Sequence, residues 1–289
     1  MQVTEKSTIR EYFQENGYAI IDTDIDHAVL DNAVAGLSPY FGDERVEPEG
    51  VSYADPGRIQ DAWFIENSVW KIATSKSVLA ALKDIYGLEA EPFQTLNFYK
   101  GTGQPTHSDS IHFNCEPFGN MCGVWVALED IGPDQGPLRI YPKSQELEEM
   151  NYPDFGLEPG YDQYPQYLNA IENLIEKNGY EERRAIIKKG QAVIWAANVL
   201  HGGSPQNDIS LTRKSQVTHY YVGKPKAWRP SESTNGRAYF VPETLGDCTA
   251  PGFRAHPGPS IVTRVAGRAR RLRDHARVVA KGVLNKLGR

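Results

Sequence analysis

The run "RAIIKKGQAVIWAANVLHGGSPQNDISLTRKSQVTHYYVG", residues 184–223, decides how the chain is built. Its apolar stretches are short, rich in β-branched and aromatic residues, and cut apart by Gly, Pro, Asn and Asp, which is how strands separated by turns read. The same texture extends back to residue 91, through "PFQTLNFYKG" (92–101), "SIHFN" (110–114), "MCGVWVALEDI" (121–131) and "PLRIYPKS" (137–144). Many short strands with turn chemistry between them predict a barrel or a double-sheet jelly roll. One long interruption, residues 145–183, is rich in Tyr, Pro, Glu and Asn and carries one helical stretch, "PQYLNAIENLIEKNG". An insertion of that length between strands reads as a lid or binding loop.

Upstream of the strands the pattern is helical. Residues 7–16 and 27–37 read as amphipathic helices around a strand, "GYAIIDT" (17–23), and residues 66–86 read as one helix ending at Gly87. Residues 224–260, proline- and glycine-bearing, read as an irregular covering segment. From 261 to 289 the apolar positions 265, 272, 276, 279, 283 and 287 follow helical spacing with arginines between them, a basic amphipathic helix.

The 289 residues, 40% hydrophobic and 24% charged, are ordinary globular material. No run of eighteen apolar residues and no basic-then-apolar leader is present, and three cysteines without a CxxC pair suit a reducing cytoplasm. Charge is uneven. Residues 264–289 hold nine Lys/Arg against Asp274, a local +8, which leaves −14 on the rest of a chain whose net charge is −6. Such a tail can dock on the acidic body, lie on an anionic membrane as a peripheral contact, or meet an acidic partner; nucleic acid is disfavoured because the body repels phosphate. Oligomeric state is left open.

Chemistry concentrates in two places. "PTHSDSIHFN" (105–114) sets His107 and Asp109 two apart, and side chains two apart on a strand share a face. Downstream, His201 closes an apolar strand and Arg213 opens the next β-prone run, which would lie beside it. Two histidines and one carboxylate form a facial triad, leaving three positions of an Fe(II) ion for a keto acid and O2. A guanidinium grips the far carboxylate of such an acid at two points. Gln94, Asn97 and Tyr99 precede the triad and read equally as cosubstrate contacts or as satisfied interior polars. His112, three residues from Asp109, would face the opposite side of a regular strand. Trp63, Trp70 and Trp195 read as core.

In this ordered set (H-x-D, "ALEDIGPDQGPLRIYPKS", "LHGGS", "RKSQVTH") the chain resembles the phytanoyl-CoA dioxygenase (PhyH) family of Fe(II)/2-oxoglutarate oxygenases, from about residue 9 to 223. The resemblance implies a mostly β chain with flanking helices, built as a double-stranded β-helix (jelly-roll, cupin-like barrel). Residues 1–223 would be the oxygenase domain, with its core at about 90–223 and the lid at about 145–183. It implies iron on His107, Asp109 and His201, 2-oxoglutarate on Arg213, and Trp125 and Ser204 near the cosubstrate. His219 also matches a family pattern. Asp109 points to hydroxylation of a small molecule, or to a related desaturation or ring closure, because halogenating relatives lack that carboxylate to make room for halide. Two other readings stand beside this one: a cupin-like metalloenzyme of another class, which has no use for Arg213, and a silent binding module, which would normally have lost a ligand.

Overall fold

A computed structural model describes residues 8–42, 52–55, 57–147 and 149–246. The expected basic helix at 261–289 lies outside the described residues. In chain order the elements are α1 (Ile9–Asn16), β1 (Tyr18–Asp22), α2 (His27–Leu37), β2 (Ser52–Asp55), β3 (Arg58–Gln60), α3 (Asn67–Ala73), α4 (Lys76–Tyr86), β4 (Ala90–Phe98) and β5 (Asn114–Glu116). They continue with β6 (Met121–Ala127), β7 (Leu138–Tyr141), α5 (Tyr164–Asn178), β8 (Arg183–Arg184), β9 (Gln191–Ala196), β10 (Leu200–Gly203), β11 (Ser215–Val222), β12 (Lys226–Arg229) and β13 (Ala238–Phe240).

A seven-stranded sheet in the order β1-β9-β6-β11-β4-β3-β2 faces a three-stranded sheet, β10-β7-β8, with antiparallel pairing throughout. This is the expected jelly roll. Strand alternation sorts the central residues between two cores. On β6, Cys122, Val124 and Val126 turn outward to meet Phe13, Leu30, Ile72, Leu82 and Ile85 of the helices. Trp125 and Ala127 turn inward, to join Val193, Trp195, Leu138 and Ile140 between the sheets. Every residue of β6 and β11 is buried; β6 is apolar on both faces, while β11 places the polar Ser215, Gln216, Thr218 and His219 in the interior.

Four expectations need correction. The single helix at 66–86 is two, because Ser75 accepts a hydrogen bond from the Val78 amide and caps a fresh start for α4. "SIHFN" is not a strand: Ser108 caps a 3-10 turn at Asp109–Ile111, and pairing begins only at Asn114. The β11 strand beyond Arg213 does not lie beside the strand of His201; β10 and β11 belong to opposite sheets and meet across the interior. Within 224–260, the part described is not wholly irregular, since β12 pairs with both β13 and β5 in a third sheet.

The 145–183 insertion brings its own small core. Tyr152, Tyr167 and Ile171 pack against Ile111 and Leu200, which seats α5 against the Asp109–Ile111 turn and β10.

Candidate active site

His107 and His201 are held opposite each other by a reciprocal pair of backbone hydrogen bonds, His107 N–H to His201 O at 2.9 Å and His201 N–H to His107 O at 3.0 Å. A pair joined in this way puts both side chains on one face. The loop carrying His107 comes that close because "HGG" has no side chains in its path. A Cβ on Gly202 would sit 2.8 Å from Gln104 O, and one on Gly203 would sit 3.0 Å from Gln104 N.

Both rings present the same nitrogen. Nδ1 of His107 faces Pro105 O at 2.9 Å and Nδ1 of His201 faces Val199 O at 3.0 Å, contacts that only an N–H can satisfy. Nε2 is therefore left with its lone pair, the usual arrangement of a metal-ligating imidazole. The Gln104 amide donates to His107 Nε2 at 3.1 Å, marking that lone pair. Asp109 Oδ1 lies 3.6 Å from His107 Nε2 and 3.5 Å from His201 Nε2. Bonds of ~2.1 Å at right angles put adjacent donors ~3 Å apart, so Asp109 Oδ1 stands near that separation from each Nε2, and all three donor atoms lie within 4.8 Å of one another. All three residues are buried, and they are the one group of its kind among the described residues.

The other carboxylate oxygen is engaged too. Asp109 Oδ2 accepts from the Trp195 indole N–H at 2.7 Å and lies 3.4 Å from His219 Nε2. His219 in turn donates from Nδ1 to Gln94 Oε1 at 3.0 Å. Burial alone would raise the Asp109 carboxyl, but the facing His201 and His219 hold it well below the usual carboxylate range. Burial also works against protonation of His201, and the adjacent Asp109 outweighs it, so His201 ends above its ordinary value. For His107 burial prevails over Asp109 and the pKa falls.

Trp195 was expected only as core, yet it orients a candidate ligand. Gly123 makes this feasible: it pairs with Trp195 across β6 and β9, and a Cβ there would meet the indole at 2.2 Å. Trp195→Phe is expected to weaken metal retention by roughly 10- to 100-fold, the usual cost of losing an outer partner of a ligand. Gly123→Ala should do the same by displacing the ring. Metal titration of both variants by equilibrium dialysis checks this, and wild-type affinity in either would show that the indole bond is idle.

Arg213 is buried beside this cluster, its guanidinium 5.3 Å from the Phe98 ring centroid and 5.6 Å from that of Trp125. Its Nη1 donates to Gly136 O at 3.1 Å, its Nε has no partner, and no carboxylate pairs with it among the described residues. Burial pulls its pKa down to about 10, so it stays charged at neutral pH. A buried, charged, unneutralised guanidinium is costly unless an anion joins it.

These groups border one cavity of about 420 Å³, which also takes in Gln94, Trp125, His112 and His219. His112 reaches it because the 3-10 turn breaks strand alternation. Two expected cosubstrate contacts are elsewhere. Asn97 alternates away from Leu96 and Phe98 and donates to Gln216 on the helix-facing side. Ser204 is fully buried one residue beyond β10, its Oγ without a partner and off the cavity wall. Tyr99 lies outside the cavity as well, under Phe41 and Lys214.

His112 Nε2 meets the hydroxyl of Tyr164, at the start of α5, at 3.2 Å. Burial, reinforced by His107, depresses its pKa from 6.5 to about 3. Between those values the unfolded chain takes a proton that the folded chain refuses, so stability falls as pH drops from 6.5 toward 3. In metal-free protein, His112→Gln should flatten that slope by up to about 1.4 kcal/mol per pH unit, read from urea unfolding at several pH values. Parallel slopes would mean that the folded state already accepts the proton.

Comparison with known proteins gives a consistent picture. The sequence model of the family described as phytanoyl-CoA dioxygenase (PhyH) matches residues 13–213. Phytanoyl-CoA dioxygenase domain-containing protein 1 of Danio rerio is 26% identical over 128 residues, which are 43% of this chain. The chain spans about two-fifths of that relative's length, 41%. Among solved structures, the non-heme alpha-ketoglutarate-dependent carbocyclase SnoK of nogalamycin biosynthesis superposes with a TM-score of 0.62 at 12% identity, covering 79% of this chain and 87% of its own. EctD from S. alaskensis, crystallised with 2-oxoglutarate and 5-hydroxyectoine, gives 0.60 at 14% identity, covering 87% and 90%. The epimerase SnoN, in complex with Fe3+, alpha-ketoglutarate and nogalamycin RO, gives 0.59 at 16%, covering 83% and 95%. At these identities the structural likeness establishes the fold.

Proposed function

The chain belongs to the phytanoyl-CoA dioxygenase (PhyH) family, and on that premise we propose that it is an Fe(II)- and 2-oxoglutarate-dependent dioxygenase that hydroxylates a C–H bond of a small molecule in a biosynthetic tailoring step. The observation that carries this reading is the pairing, in one cavity, of a His107–Asp109–His201 face with the buried, anion-deficient Arg213. A three-ligand face alone would serve many metals. Joined to a cation, it fits a chelating keto acid that has a second carboxylate.

Iron bound there supplies the activation of O2 coupled to oxidative decarboxylation of 2-oxoglutarate to succinate and CO2. The rest of the work falls to the protein's own residues. His107 and His201 offer Nε2 because Pro105 and Val199 occupy Nδ1. Asp109 offers one oxygen because Trp195 occupies the other, and it fills the position a halide would need. Arg213 fixes the cosubstrate's far end, and Trp125 and Phe98 close that pocket against water. Gln94 acts through His219 to hold the carboxylate side of the site. SnoK is described as a carbocyclase and SnoN as an epimerase, both alpha-ketoglutarate dependent, so the face admits outcomes other than hydroxylation. Retention of the Asp109 carboxylate argues against halogenation, and hydroxylation is the outcome we adopt for this chain within the set that includes desaturation and ring closure.

The test is aerobic incubation of the purified chain with Fe(II), ascorbate and 2-oxoglutarate. Succinate should form, rise with a productive substrate, and accompany a product heavier by one oxygen atom. Retention of zinc with no succinate under any condition would favour the non-oxygenase metalloenzyme. Among the described residues no helix is long and apolar enough to cross a membrane.

A further inference from the structure

The cavity has a second recognition surface that the oxygenase reading does not use. Arg58 and Gln60, two apart on β3, both border it, while Ile59 between them is fully buried on the other face. β3 pairs with β4 so that Arg58 and Gln60 stand opposite Phe98 and Leu96, two further wall residues. Gln94, farther along β4, extends the row. Its Oε1 already accepts from His219, so what it can offer a ligand is its amide N–H. The cavity lining also has an aromatic group: Phe113, Tyr161 and Tyr164, each in ring contact with His112.

Size and charge restrict what enters. About 420 Å³ is near the lower end of the ~300–1,000 Å³ of small-molecule sites, and it must also hold 2-oxoglutarate. Residues 145–183, which form the lid, carry ten Asp/Glu against two Lys/Arg. That surface repels a polyphosphorylated carrier such as a coenzyme A thioester far more strongly than it repels a single charge.

We propose that this end of the cavity takes a small ring-bearing molecule with a single carboxylate, gripped by Arg58 with help from Gln94 while its ring lies against Phe113, Tyr161 and Tyr164. The proposal rests on the oxygenase reading, since it assigns the space left once 2-oxoglutarate is on Arg213. An Arg–carboxylate fork out of bulk water contributes on the order of tenfold or more in affinity over an uncharged amide.

The full chain is loaded with Zn(II), which prevents turnover, and with saturating 2-oxoglutarate. Phenylacetate and cyclohexanecarboxylate are then titrated against phenylacetamide and cyclohexanecarboxamide by ligand-detected NMR. Each acid should bind at least about tenfold tighter than its amide. Arg58→Gln should erase the difference, and Arg58→Lys should keep part of it, because lysine retains the charge and loses the fork. Equal binding of acid and amide, no acid binding at millimolar concentration, or a preference that survives Arg58→Gln overturns the proposal. Retention of 2-oxoglutarate, measured in the same samples, is a separate readout: its loss from the wild-type chain overturns the oxygenase reading itself.

Discussion

Asp109→Ala is expected to abolish succinate formation and to cut iron retention by more than the ~100-fold that loss of an outer partner costs. The carboxylate does three jobs at once. Oδ1 completes the donor face 3.5–3.6 Å from both Nε2 atoms, Oδ2 anchors the Trp195 indole, and its charge offsets the burial of His201. Alanine removes all three and leaves a buried indole N–H without an acceptor, a further cost of about 1–3 kcal/mol. Asp109→Asn separates the roles. It keeps an acceptor for Trp195 and so should fold like the wild type, while a neutral amide holds the ion poorly. Iron bound per chain, determined after anaerobic desalting, together with the melting temperature, distinguishes the two variants. Full iron occupancy in Asp109→Ala would show that the two histidines and a different third group make the site.

Arg213→Gln is expected to raise the 2-oxoglutarate concentration for half-maximal turnover by roughly 10- to 100-fold, from a lost charge-assisted bond of about 1.5–3 kcal/mol. Metal retention should be unchanged, because the guanidinium touches Gly136 O, Phe98 and Trp125 rather than a triad residue. Stability should not fall much, and it could rise in the absence of cosubstrate, since a buried cation with an unpartnered Nε is removed. A lysine at 213 should recover only part of the affinity, having charge without a fork. Steady-state kinetics with varied 2-oxoglutarate checks this; an unchanged half-saturation value would detach Arg213 from the cosubstrate.

Much of this was legible in the letters, for identifiable reasons. The strands of 184–223 were marked by turn residues at their ends, and α5 by its apolar spacing and by Gly179, which takes the left-handed conformation that closes the helix. His107, Asp109, His201 and Arg213 were legible because few chains place those types in that order, and the structure brings all four to one cavity. What failed depended on contacts that have no local signature. A capped restart at Ser75 looks like continuous helix until the cap hydrogen bond is seen. The turn at Asp109–Ile111 looks like strand, and that error misplaced His112, which faces the cavity after all.

Trp195 was missed as a functional residue because its neighbours are apolar. The signal available was Gly123, a small residue in the middle of an otherwise bulky strand, where another group approaches closely. Asn97, which reads equally as a cosubstrate contact or an interior polar, is an interior polar, because alternation on β4 turns it to the helix-facing side; Ser204 lies past the end of β10 and off the wall. Placement of β10 across from β11, rather than beside it, follows from sheet order, which no short motif encodes.

The most direct test of a joint metal and cosubstrate site is an anaerobic titration in two stages, first Fe(II) into the metal-free chain and then 2-oxoglutarate with and without the ion. The geometry around Asp109 and Arg213 predicts one ion per chain and tight 2-oxoglutarate binding only once that ion is in place. Binding of 2-oxoglutarate that is indifferent to the metal, or an ion still held after His107 and His201 are both replaced by alanine, would contradict it.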